Sequence, residues 1–175
     1  MNSGQCNARE QHIQTNMTPG HPYHTALTQF SFTPDPAQAL AATELENLHQ
    51  RLVRRVEQQQ SVLHRLASRL PGRHTPVTGI YLWGGVGRGK TWLMDLFYDH
   101  LPFKQKMRLH FHHFMQTVHD QLSLLKGQRD PLKLIAHNLA RNARVICLDE
   151  FHVADITDAM LLRGLLEALF REGVT

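Results

Sequence analysis

Apolar residues recur at three- and four-residue intervals from Leu45 onward: Leu45, Leu48, Leu52, Val56, Leu63, Leu66 and Leu70 form one stripe. Arg51, Arg54, Arg55, Glu57, Arg65 and Arg69 fill much of the remaining circumference. This is the period of an amphipathic helix. Thr33 and Asp35 are suitable N-cap residues, Pro36 suits the first helical position, and Pro71-Gly72 ends the pattern. The run Gln58 to Gln60 carries neither a turn nor a packing signal and leaves open whether the stretch is one helix or two. Beyond Pro76 the pattern changes to strand, glycine turn, helix, strand, two helices, strand, helix. Strands are expected at Gly79 to Trp83, Met107 to Phe111 and Val145 to Leu148. Helices are expected at Trp92 to His100, Phe114 to Lys126, Leu132 to Asn142 after Pro131, and Asp155 to Arg171. The alternation predicts an α/β fold with a parallel sheet.

The N-terminal residues 1–22 are rich in Asn, Gln, Thr, Gly and His without apolar periodicity and read as a mobile leader. The chain therefore divides into this leader, a helical segment at 23–74 and a core at 75–175. Its 175 residues and 42% apolar content fit one ordinary domain, and no run has membrane length. Cys6 and Cys147 stand in unlike surroundings and suggest neither a disulfide nor a metal spacing. With no secretory or organelle address in the first thirty residues, a cytoplasmic location is expected. The net charge of +4 would fit a nucleic-acid or membrane partner but is also common in proteins that touch neither.

The run Gly84-Gly85-Val86-Gly87-Arg88-Gly89-Lys90-Thr91 fits the pattern Gly-x4-Gly-Lys-Thr between an expected strand and an expected helix. Glycines allow successive backbone N–H groups to turn inward toward a phosphate, and the helix that follows adds its positive N-terminal end. The nucleotide cradle is expected to extend from Gly84 through Trp92. Lys90 should reach the β- and γ-phosphates of ATP, and Thr91 should offer its hydroxyl to Mg2+. A glycine-rich turn without a ligand is the bland alternative.

Val145-Ile146-Cys147-Leu148-Asp149-Glu150 is an apolar strand that ends in two carboxylates. Ligands of open parallel sheets lie beyond this end of the strands. Asp149 is expected to hold Mg2+ through water, and Glu150 to orient or deprotonate the water that attacks the γ-phosphate. An ordinary strand exit with solvated acids is the alternative. His110, His112, His113 and His119 lie close enough in sequence to suggest a metal site, but no cysteine or carboxylate joins them at ligand spacing. His110 and His112 read instead as polar residues on one face of a strand. A histidine at that strand's end, with His112 as the test position, could hydrogen-bond Glu150 and gate hydrolysis.

The residues from Thr75 through Thr91, then Leu93 to Tyr98, resemble the ZapE-like family of cell-division ATPases and their mitochondrial relatives. The likeness continues through Arg108-Leu109-His110-Phe111-His112, Phe114-Met115, Asp130-Pro131-Leu132, Asp149-Glu150-Phe151 and Asp155 to Leu162. Tyr23, Ala26, Leu27 and the stretch Asp35 to Gln38 extend it toward the N-terminus. The resemblance implies an AAA+-type P-loop NTPase fold, a three-layer parallel sheet. It implies ATP hydrolysis through Lys90, Thr91, Asp149 and Glu150, with ATP and Mg2+ as cofactors. It also implies association with FtsZ-ring proteins at the inner membrane and a homo-oligomer in the full-length form. Such a fold continues past Thr175 with a strand lying between Gly79–Trp83 and Val145–Leu148, so a C-terminally incomplete core is expected. Unpaired strand edges would then make the chain aggregation-prone and a poor ATPase. Two other readings fit the motifs: a helicase-loader-like ATPase using the arginines of 51–73 on nucleic acid, and a non-hydrolysing nucleotide- or partner-binding fragment.

Overall fold

The computed structural model describes residues 36–60, 77–153 and 155–175. The leader, the caps at Thr33 and Asp35, the residues Tyr23, Ala26 and Leu27, the apolar positions Leu63, Leu66 and Leu70, and the stop at Pro71-Gly72 lie outside the described residues. In chain order the elements are α1 (Pro36–Gln60), α2 (Lys90–His100), β1 (Lys106–His110), α3 (Phe111–Leu124), α4 (Pro131–Asn142), β2 (Val145–Asp149) and α5 (Ile156–Arg171). The strands pair in parallel, with Lys106 opposite Val145, Arg108 opposite Cys147 and His110 opposite Asp149.

Helices cover both faces of this sheet. On one, Phe111, Phe114, Met115 and Val118 of α3, Ile135 and Ala136 of α4, and Leu162, Leu165 and Leu169 of α5 form a core against Leu109, Ile146 and Leu148. On the other, Leu45, Leu48 and Leu52 of α1 meet Leu93 and Phe97 of α2 against Val145 and Cys147. Strand β2 is thus apolar on both sides, as expected of a parallel strand between helical layers. The α1 stripe holds where it is described, with Leu45, Leu48 and Leu52 buried and Arg51 and Arg54 exposed. Several ends are sharply set. Asp155 caps α5 by accepting the Asp158 N–H at 2.8 Å, Pro131 opens α4, and β1 passes into α3 without a turn.

Two expectations are corrected. Residues 79–83 join no ladder. The place beside β2 is taken by Thr175, whose N–H donates to Arg144 O at 2.8 Å and whose C=O accepts from Ile146 N at 2.9 Å. Its Oγ1 donates to Val77 O at 3.0 Å. Thr175 thus stands between β2 and this run, and β-prone residues form a strand only where a neighbour supplies hydrogen bonds. Secondly, β1 ends at His110, so His112 and His113 belong to the first turn of α3. Burial of Phe111 among α3, α4 and α5 side chains starts the helix earlier than the histidine alternation suggested.

Leu165 is fully buried, whereas Leu124 is 85% exposed. Leu165→Ala should therefore cost about 3 kcal/mol and Leu124→Ala less than about 0.5 kcal/mol in denaturant unfolding. Equal costs would show that α5 does not seal the core.

Candidate active site

The glycine loop has the backbone its residues permit. Gly84, Gly87 and Gly89 have φ of 142°, 80° and 71°, a region in which a side chain would strain the chain. A Cβ placed on Gly84, Gly85 or Gly87 would meet nothing within 4 Å, so the space around these glycines is open, and Val86 is fully exposed. Gly89 is the N-cap of α2, and no side chain caps it. The first-turn N–H groups of an α-helix lack intrahelical acceptors and suit an anion. Lys90, the first residue of that helix, donates its Nζ to Gly84 O at 2.8 Å and Gly85 O at 2.7 Å. Its ammonium thus lies against the loop. Thr91 is exposed beside it, and Trp92 is half-buried against the core of α1 and α2. From α1, Gln38 Nε2 donates to Arg88 O at 3.0 Å and holds the middle of the loop.

Across from this helix, β2 delivers Asp149 and Glu150 into different settings. The Asp149 side chain is 15% exposed and its Oδ2 accepts from Arg108 Nη2 at 2.7 Å, while Glu150 is 74% exposed. Arg108 Nη1 also pairs with Asp95 of α2, so one guanidinium joins the glycine-loop helix to the strand end. Glu150 takes φ of 52°, a left-handed conformation that costs a residue with a Cβ about 1 kcal/mol or more and that concentrates at functional sites. Its neighbour Phe151 packs on Phe111 at 4.6 Å between ring centres and edge-on to Tyr81 at 5.8 Å, which fixes the chain just beyond the carboxylate. Thr91 and Asp149 carry hard oxygen donors of the kind Mg2+ takes, and would leave its other positions to water and phosphate oxygen. The donor set fits that ion.

The histidines separate. His110 Nδ1 lies 3.9 Å from Glu150 Oε2, an ion-pair distance too long for a hydrogen bond. The residue facing Glu150 is therefore His110. His112 stacks on His110 and packs against His113. His119 is elsewhere, 2.7 Å from Asp158 of α5. The Arg108 bridge escaped the sequence reading because its partners lie far apart in the chain. The period of two along Lys106, Arg108 and His110, which sets all three on one face of β1, was the available signal.

A glycine loop closed by lysine at a helix start, beside a parallel strand ending in two acids, defines a P-loop nucleotide-binding architecture. The chain belongs to the AFG1-like ATPase family, whose model matches residues 17–175. It is similar to the cell division protein ZapE of Escherichia coli strain K12, at 49% identity over 91% of this chain and 44% of the relative. It is also similar to lactation elevated protein 1 homolog B of Danio rerio, at 43% identity over 57% of this chain and 22% of the relative. The chain thus spans less than half the length of these relatives. No solved structure matches it.

Cys147, on the sheet face beside Arg108, has its thiol pushed from 9.0 up to about 11, first by burial and then by Asp149, against the opposing pull of Arg108 and Lys106. The shift stabilises the fold fully below pH 9 and is lost as pH rises toward 11, because the unfolded thiol ionises first. Alkylation of Cys147 at pH 8, followed by peptide mass spectrometry, should be slow in the native chain and fast in denaturant. Rapid native labelling would contradict this burial.

Proposed function

We propose that the chain binds ATP with Mg2+ and hydrolyses it. Gly84, Gly85, Val86, Gly87, Arg88 and Gly89 cradle the phosphates with backbone N–H groups, together with the first-turn amides of α2 at Lys90, Thr91 and Trp92. Lys90 reaches the terminal phosphates, Thr91 and Asp149 hold the metal, and Glu150 activates water. Bound Mg2+ would neutralise charge on the β- and γ-phosphate oxygens. The observation that carries this reading is the Lys90 ammonium on the open glycine loop, with its helix tied through Asp95 and Arg108 to Asp149. The position of Thr175 between residues 77–83 and β2 supports an AAA+-type three-layer sheet in which a strand at that place joins the two motif-bearing segments.

The biological setting follows the relative that covers most of this chain, whose name describes it as a cell division protein. We read the chain as part of an ATPase that acts on division-ring proteins from the cytoplasmic side of the inner membrane, as a homo-oligomer in its full form. Among the described residues no helix is long and apolar enough to cross a membrane.

Lys90→Ala removes the cation aimed at the phosphates and should weaken ATP affinity by about tenfold or more in a direct titration. Unchanged affinity would overturn the phosphate-loop assignment.

Glu150→Gln keeps the size of the side chain but removes its charge. ATP should bind with parental affinity while turnover falls about 100-fold. Parental turnover would remove Glu150 from the chemistry.

A further inference from the structure

We propose that Arg108 is a positioning residue that sets how much of the Asp149 carboxylate is available to a divalent cation, and that Asp95 tunes it by competing for the same guanidinium. This rests on the reading above, in which Asp149 helps hold a nucleotide-bound metal. The geometry begins with the parallel register: Lys106, Arg108 and His110 stand opposite Val145, Cys147 and Asp149. Side chains on paired residues share a face, so a basic row lies along the strand face that meets α2.

Within that row Lys106 is committed elsewhere. Its Nζ donates to Tyr98 O at 2.5 Å, Leu101 O at 3.2 Å and Asp99 O at 3.3 Å, and it lies 4.6 Å over the Tyr98 ring. It closes the C-terminal end of α2, where a cation is favoured. Arg108 lies one step further along the face, where its two terminal nitrogens divide between Asp95 Oδ1 and Asp149 Oδ2. A planar guanidinium can hold two carboxylates at once in fixed directions, which a lysine cannot. The bridge is partly withdrawn from water, with side-chain exposures of 28% for Arg108 and 15% for Asp149.

Two effects follow. Arg108 fixes Oδ2 of Asp149 and leaves Oδ1 for another partner, which orients the carboxylate. It also places a permanent positive charge against the same group, and that charge opposes an arriving cation. Asp95 draws part of the guanidinium's charge toward α2 and relieves this opposition. Because Asp95 sits on the helix that begins at Lys90, movement of that helix on phosphate binding would alter the division of Arg108 between its partners and so couple the two motifs.

The test measures affinity for a fluorescent non-hydrolysable ATP analogue, using the full chain, with Mg2+ and with EDTA. The readout is the ratio of the two dissociation constants, EDTA over Mg2+, which reports the metal's contribution. Arg108→Gln should raise this ratio by about fivefold, a change of the size expected for one partly exposed charge pair. Asp95→Asn should lower it. In the Arg108→Gln background, Asp95→Asn should have no further effect, because its action runs through the guanidinium. A merely structural role for Arg108 would weaken both affinities together and leave the ratio unchanged, which overturns the proposal, as does a shift of both single variants in the same direction. If Arg108→Gln fails to fold, Asp95→Asn decides alone: a lower ratio supports the proposal and an equal or higher one overturns it. Failure of the parental chain to bind the analogue at all would sink the nucleotide reading and this proposal together. Analogue binding without the opposed shifts sinks this proposal alone.

Discussion

The parallel register between β1 and β2 is the constraint from which the rest of the site follows. A slip of one residue would turn Arg108 away from α2 and send Met107 and Leu109 toward Asp95 in its place, because successive side chains point to opposite faces. The slip is resisted by both cores at once. Leu109, Ile146 and Leu148 are claimed by α3, α4 and α5, while Val145 and Cys147 are claimed by α1 and α2. Burial on two faces therefore sets the position of a guanidinium to within hydrogen-bonding distance of two carboxylates. The Arg108 bridge is a consequence of packing, and packing is the stronger force.

Helix α1 has a part in the site that its amphipathic pattern did not advertise. Its apolar stripe lies against α2, which sets where the glycine loop's helix starts, and Gln38 at its N-terminal end reaches Arg88 O. Its buried side also includes two polar residues, Glu46 and His49, of which His49 Nε2 lies 3.0 Å from His100 O at the far end of α2. The helix carrying Lys90 is thus contacted by α1 near both ends, and Lys106 closes its C-terminus.

What was legible in the sequence was what local rules decide. The glycine loop could be read because positive φ at Gly84, Gly87 and Gly89 is a property of glycine itself, and the start of the following helix was placed within two residues. The apolar run Val145 to Leu148 announced a strand buried on both sides, and the two acids at its end followed. The periodic helices α3, α4 and α5 were found with small errors at their ends. The run at 79–83 failed because a strand exists only in relation to a neighbour, and composition does not say what occupies the next place. His112 was preferred to His110 because alternation was extended beyond the point where burial of Phe111 turns the chain into helix. The period of two along β1 gives Arg108 its face, but its partners on α2 and β2, like the contact of Gln38 with the loop, depend on tertiary placement that a local pattern does not carry.

The two neighbouring acids show how one strand end can produce unlike groups from similar residues. Asp149 is the last residue of β2 and inherits the strand's alternation, so its carboxylate turns to the sheet face where Arg108 waits and where water is scarce. Glu150 breaks the alternation by adopting φ of 52°, which swings a longer side chain out of register and into solvent near His110. Continued strand alternation would direct Glu150 toward the α3–α5 face, so the left-handed step changes where its carboxylate points. Conformational strain at one residue, held in place by Phe151 beside Phe111 and Tyr81, therefore gives two adjacent carboxylates different surroundings. One is oriented by a fixed countercharge, and the other is left free to meet water.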